Sequence, residues 1–117
     1  MAYIDCFAAA VPDENRDRYI VHATDCATVF REYGALQVTE CWAEDVPEGQ
    51  LTSFPLAVKR GEGESVVVGF VVWPSKDVRD EAWSRIMDDP RMKMGPETMP
   101  FDGKRLIHGG FDRIVSA

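Results

Sequence analysis

The order of elements in this sequence predicts an α+β fold: a four-stranded antiparallel sheet with two helices on one face, built as β-α-β-β-α-β. Three observations carry that expectation. A β-forming segment opens the chain, a helical stripe follows it, and Ser65–Trp73 (SVVVGFVVW) is almost wholly β-forming. A length of 117 residues with 45% hydrophobic content suits a single domain over residues 1–117.

Taken in order, Ala2–Val11 places Tyr3, Ile4, Phe7 and Val11 among alanines and ends at Pro12-Asp13, as a first strand would. Asp13 is positioned to cap the next helix, and Glu14 adds favourable charge to its first turn. Tyr19, Ala23, Cys26, Phe30 and Tyr33 recur at four- and three-residue steps, so the first helix is expected from about Glu14 to Tyr33, with Gly34 to end it. Residues 35–44 then alternate: Leu36, Val38, Glu40 and Trp42 share one face of a second strand.

The polar, glycine-rich stretch from Asp45 to Glu64 brackets Leu51–Val58 and is too long for a tight hairpin. Its apolar residues need cover, which predicts an extended arm or a short extra strand packed on the rest. Ser65–Trp73 reads as a central strand covered on both faces. Pro74 ends it, Ser75 is a natural N-cap, and Val78, Ala82, Trp83, Ile86 and Met87 make the apolar face of a second helix closed by Asp89-Pro90. Residues 91–104, with Gly95, Pro96, Pro100 and Gly103, predict an irregular excursion before a last strand from about Arg105.

A formal charge of -7 opposes binding to nucleic acid or an anionic membrane, because both are polyanions that demand clustered Lys and Arg. Cys6, Cys26 and Cys41 are odd in number and form no CxxC, so a disulfide framework and a zinc knuckle are not expected and the cytoplasm is the simplest location. No run approaches the roughly 20 apolar residues of a membrane span. The N-terminal apolar run carries Asp5 at its centre and lacks a basic flank, so it reads as a strand and not as a signal peptide.

Several blocks carry a family resemblance: Tyr3-Ile4-Asp5-x-Phe7, Gly34-Ala35-Leu36, Glu40-Cys41-Trp42-Ala43-x-Asp45-Val46-Pro47, Pro74-Ser75-Lys76-x-Val78-Arg79-Asp80, Asp89-Pro90-Arg91-Met92 and Met99-Pro100-Phe101-Asp102-Gly103-Lys104-Arg105. Spread over nearly the whole chain, they resemble the YbaA-like bacterial family, the numbered family of unknown function 1428. The resemblance implies a ferredoxin-like subunit with strand order 4-1-3-2. It also implies the dimeric α/β-barrel superfamily, shared with cofactor-independent antibiotic-biosynthesis monooxygenases, chlorite dismutase-like proteins and small stress-responsive barrel dimers. It implies no reaction. The family ending resembles Met-Ile-Tyr-Gly-Gly-Phe where this chain has Leu106-Ile107-His108-Gly109-Gly110-Phe111, so His108 is not carried over as a shared group.

A sheet with one bare apolar face must cover it, and pairing two such faces across a twofold axis predicts a homodimer enclosing an apolar cavity. Asp5 and Glu40 interrupt apolar strand faces; burial would raise their pKa values and suit one as a general base, while solvent exposure or an arginine partner is the plainer outcome. His108 could meet Asp5 across adjacent strands, so Asp5, Glu40 and His108 are the catalytic candidates. Trp42, Tyr3, Phe7 and Phe70 are the ligand-binding candidates, Trp42 because an aromatic wall beside Glu40 suits a planar metabolite.

His22 has no second ligand at a matching helical step, the glycines at 61 and 63 flank an acid and form no phosphate loop, and the cysteines read as core hydrophobes, so no metal or cofactor is expected. The pair Gly109-Gly110 suggests a bulge, a close backbone approach or room for a ligand. Function divides between a cofactor-free oxygenase, isomerase or lyase acting on a small aromatic or enolisable compound, and a non-catalytic module that binds a small molecule or a protein partner.

Overall fold

The computed structural model describes residues 1–93, 95 and 98–117. Four strands, β1 (Tyr3–Pro12), β2 (Gln37–Trp42), β3 (Glu64–Trp73) and β4 (Ile107–Asp112), alternate with the helices α1 (Arg16–Glu32), α2 (Phe54–Ala57) and α3 (Lys76–Ile86). All pairings are antiparallel and the order is β2-β3-β1-β4, which from the opposite edge reads 4-1-3-2. The fold is α+β, with two main helices.

Register decides which residues share a face. β1 pairs with β3 from Tyr3↔Trp73 to Pro12↔Glu64 and with β4 from Tyr3↔Asp112 to Ala8↔Ile107. Since side chains alternate, Tyr3, Asp5, Phe7, Ala9 and Val11 lie on one face with Val67, Val71 and Trp73, and with Val38, Glu40 and Trp42 of β2. Both main helices cover that face. Tyr19 and Ala23 of α1 pack on Ala9, Val11 and Val67, while Ala82 and Ile86 of α3 join Val29, Val71 and Trp73 in a second cluster. Trp73 is fully buried between the strand and the helices, with Phe30 set edge-on against it.

Local chemistry explains the ends. Gly34 adopts φ 111°, open to a residue without Cβ, and the Ala35 N–H returns to the Phe30 carbonyl, closing α1 as its sequence indicates. Ser75 caps α3 by accepting the Val78 N–H on its hydroxyl. Asp13 does not cap α1 as expected. A single 3-10 turn over Asp13–Asn15 intervenes, and the Asp13 carboxylate instead accepts from the Ser65 hydroxyl, tying the turn to β3. Met87, placed on the apolar face of α3 by its spacing, is 71% exposed because the helix stops at Ile86.

The long connection after β2 is packed, as expected, although its ordered piece is helical. Ser53 caps α2 through the Leu56 N–H, with Pro55 in the first turn, where its missing N–H costs nothing. Val58 just beyond is fully buried against Ala8, Ala10 and Val66, so the arm covers part of the face opposite the main helices. The rest of that face stays open around Ile4, Phe70 and the exposed Ile107 and Phe111. Within the 91–104 excursion, Met94, Pro96 and Glu97 lie outside the described residues, and the breaker expected at Pro96 with them. Pro100 is buried, and its carbonyl accepts from Asn15.

Candidate functional site

Asp5 and Glu40 stand on the same sheet face in very different surroundings. The buried Asp5 carboxylate accepts from the indole N–H of Trp73 at 2.9 Å and of Trp83 at 3.0 Å, and from Arg79 through Nε at 3.1 Å and Nη2 at 2.7 Å. Burial alone would raise its pKa, but the hydrogen bonds from Arg79, Trp83 and Trp73, with the Arg79 charge, outweigh it and hold the carboxyl below its ordinary value. A carboxylate so held is a poor base. It is a strut that fastens α3 to β1, with the Arg79 guanidinium also stacked over the Tyr3 ring at 5.2 Å.

Gly110, the second of the glycine pair, serves the same strut. Pairing between β1 and β4 runs unbroken, so the expected bulge is absent. Gly110 lies directly opposite Asp5, and a Cβ there would stand 2.5 Å from the Tyr3 hydroxyl and 2.9 Å from Arg79 Nη2. Room is made for a neighbouring side-chain pair. His108 faces Phe7, not Asp5, and is exposed; the contact anticipated between His108 and Asp5 does not form, because two residues of register separate them and Arg79 fills the carboxylate.

Glu40 belongs to a groove between α1 and β2. The alternation of β2 turns its half-buried carboxyl toward α1, where the buried Tyr19 hydroxyl donates to Oε1. Burial raises the Glu40 pKa and the Tyr19 hydrogen bond offsets only part of the rise; the Tyr19 phenol is itself pushed upward by burial and by Glu40. The groove has a volume of about 390 Å³, with apolar walls from Ile20, Ala23, Val38 and Val67. Trp42 also lines it, and the Arg16 guanidinium sits over its ring at 5.5 Å.

The cavity expected on the bare face does not collect the candidate residues. Asp5, Glu40, Trp42 and His108 all lie on the helix-bearing face, since strand parity puts them with Ala9 and Val67 under the helices. Glu40 and Trp42 meet in the groove, Tyr3 and Phe7 share their face but lie outside it, and Phe70 points to the opposite face. Sequence places Tyr19 only in the apolar stripe of the first helix and marks neither it nor Arg16 as a site residue. A buried tyrosine needs a partner for its hydroxyl, and the one acid within the β2 alternation was the available signal.

Of the three cysteines read as core residues only Cys26 is buried; Cys6 is half-buried and Cys41, on the edge strand β2, is exposed. Cys26 is buried 3.7 Å from His22 Nε2, and burial, aided by the charges of Glu40 and Asp25, pushes its thiol up to about 11, so the nucleophilic thiolate is scarce near neutral pH. Burial lowers the His22 pKa against the pull of Asp25, and Phe101 packs edge-on against its ring and that of Tyr19. Among the described residues no group of three His, Cys, Asp or Glu side chains is arranged to hold a metal ion, and no helix is long and apolar enough to cross a membrane.

The family model described as a protein of unknown function, DUF1428, matches residues 2–103. The chain is 51% identical over 115 residues to the uncharacterized protein YbaA of Escherichia coli strain K12, covering 98% of each chain. The same identity and coverage relate it to the YbaA proteins of Escherichia coli O157:H7 and Shigella flexneri.

Proposed function

The chain belongs to the DUF1428 family of proteins of unknown function, and from the groove beside Glu40 we propose that it binds a small aromatic or enolisable metabolite there and moves a proton on it. One observation carries this reading: a carboxyl with a raised pKa, hydrogen-bonded to a buried phenol, on the wall of an apolar groove of about 390 Å³. That volume suits a small organic ligand. A carboxylate with a raised pKa is a stronger base than an ordinary one, and the Tyr19 hydroxyl orients it. In the proposed step the C–H bond next to a carbonyl breaks, its proton passes to Glu40, and the electron pair moves to the carbonyl oxygen. Return of the proton at the other end completes an isomerisation with no cofactor. Asp5 and His108 take no part in this form of the reaction.

The assembly we propose around it is a cytoplasmic homodimer of single ferredoxin-like domains, joined through the bare sheet face as a dimeric α/β barrel. The open apolar residues on that face, among them Ile107 and Phe111, support it. A non-catalytic binding role for the same groove is the second reading, favoured by the exposed Arg16 and Ile20 on its wall, which leave the site open to water.

The test follows deuterium incorporation from heavy water into a panel of aryl ketones and aryl 2-oxo acids by proton NMR. The wild type should accelerate exchange on at least one compound, and Glu40→Gln should lower that rate by about 100-fold or more. Exchange no faster than buffer across the panel would overturn the catalytic step and leave binding alone.

A further inference from the structure

We propose that the groove selects a ligand carrying a carboxylate, bound by Arg16 at the exposed rim with its apolar body toward Glu40. This rests on the groove being the binding site. Five of the nine arginines, Arg60, Arg79, Arg85, Arg91 and Arg105, each hold a carboxylate within 4.0 Å, while Arg18, Arg31 and Arg113 hold none among the described residues but do not line the groove. Arg16 holds none among the described residues, and it is the cation among the groove-lining side chains. The guanidinium carbon lies 5.5 Å from the Trp42 ring centroid, a cation–π contact that restrains the side chain, while its N–H groups hold no carboxylate among the described residues and can grip one through two parallel hydrogen bonds. Restraint before binding reduces the entropy lost when the anion is held.

The remaining walls match the rest of such a molecule. Ile20, Ala23 and Val38 supply apolar walls, Trp42 a flat surface, and the Glu40 carboxyl, with one oxygen held by Tyr19, an acceptor for a hydroxyl group. An acidic chain repels anions at long range, so one unpaired arginine on a groove wall is a local reversal of sign and a source of selectivity. The class is a small aryl or alkyl carboxylate, with 2-oxo acids among its reactive members.

The experiment separates charge from shape and from chemistry by using unreactive probes: 3-phenylpropanoate and its neutral isostere 3-phenylpropanamide, titrated into the full chain by NMR and calorimetry. The acid should bind at least tenfold tighter than the amide, with shifts at Arg16, Trp42 and Glu40. Arg16→Gln should abolish that gap, weakening the acid far more than the amide; Arg16 is exposed on the first turn of α1, so the fold should persist, with circular dichroism as the check. Arg16→Lys should keep part of the gap. Equal binding of acid and amide in the wild type, or a gap that survives in Arg16→Gln, would overturn the carboxylate assignment while the groove stood. Binding of neither, or shifts away from the groove, would overturn the groove as well.

Discussion

Two acids thirty-five positions apart on one sheet face show how surroundings set the behaviour of identical groups. Asp5 meets an arginine and two indole donors, and its carboxyl titrates low; Glu40 meets one phenol and apolar walls, and its carboxyl titrates high. Removing one partner of a buried pair leaves the other charge uncompensated. With side chains only 13% and 24% exposed, the Asp5–Arg79 pair should cost about 3 kcal/mol when Asp5→Asn breaks it, read from urea unfolding at neutral pH. Because the folded-state pKa is depressed, the stabilisation from Asp5 is fully present above the ordinary value of 3.8 and is lost as pH falls through the lower folded value. The difference between wild type and variant should therefore shrink only below pH 3.8; a difference constant down to pH 2 would refute the ionic origin. Sequence marked both acids, since each interrupts an apolar alternation, but it could not distinguish strut from base. Their partners, Arg79 at 74 residues' remove and Tyr19 at 21, come from other elements.

At the scale of elements, the strand glycines differ in what a side chain at each would meet. Gly69 lies between Phe7 and Glu40 in the ladder, and a Cβ on it would meet the Phe7 ring and stand 2.7 Å from the Thr39 carbonyl oxygen. A ladder carbonyl cannot retreat without losing its register. Gly110 would strike the far ends of Tyr3 and Arg79, which can shift, although Arg79 is held by Asp5. At Gly109 a Cβ meets only Phe111 at 3.5 Å, an ordinary contact. Alanine substitutions should thus rank Gly69 as the costliest, at about 3 kcal/mol, then Gly110 at about 1–2 kcal/mol, then Gly109 near zero, by chemical denaturation. Equal losses at positions 109 and 110 would contradict the side-chain clearance assigned to Gly110. The helices were readable because capping and periodicity are local: Ser75, Gly34 and the α1 stripe act within a few residues of themselves. Asp13 defeated the same logic because Ser65, fifty-two residues away, competes for its carboxylate.

For the whole molecule, the two sheet faces have different fates. One is closed by α1 and α3, and the other is closed only in part by the arm at Val58, leaving Phe70, Ile4, Ile107 and Phe111 accessible to differing degrees. The proposed homodimer follows from that imbalance, since a contiguous apolar sheet surface tends to mark an interface. Sedimentation at micromolar concentration should give twice the mass of 13.1 kDa, and Phe70→Glu should return it to one chain. A wild-type monomer would remove the barrel while leaving the α1–β2 groove untouched, because groove and bare face lie on opposite sides of the sheet.

By itself, sequence determined the order of the four strands and two main helices, the limits of those helices to within a few residues, and the parity by which Tyr3, Asp5 and Phe7 share one side of β1 as Glu40 and Trp42 share one side of β2. These follow from periods of 2 and 3.6 and from capping chemistry, which are short-range. Tertiary structure alone decided which side the helices cover, and so which residues could meet. Parity relates neighbours along one strand but carries no absolute direction; that comes from the register between strands and the packing of helices far away in the chain. It put Glu40 against Tyr19 and Arg16 over Trp42 to make a groove, and gave Asp5 to Arg79, where the carboxylate holds the fold together.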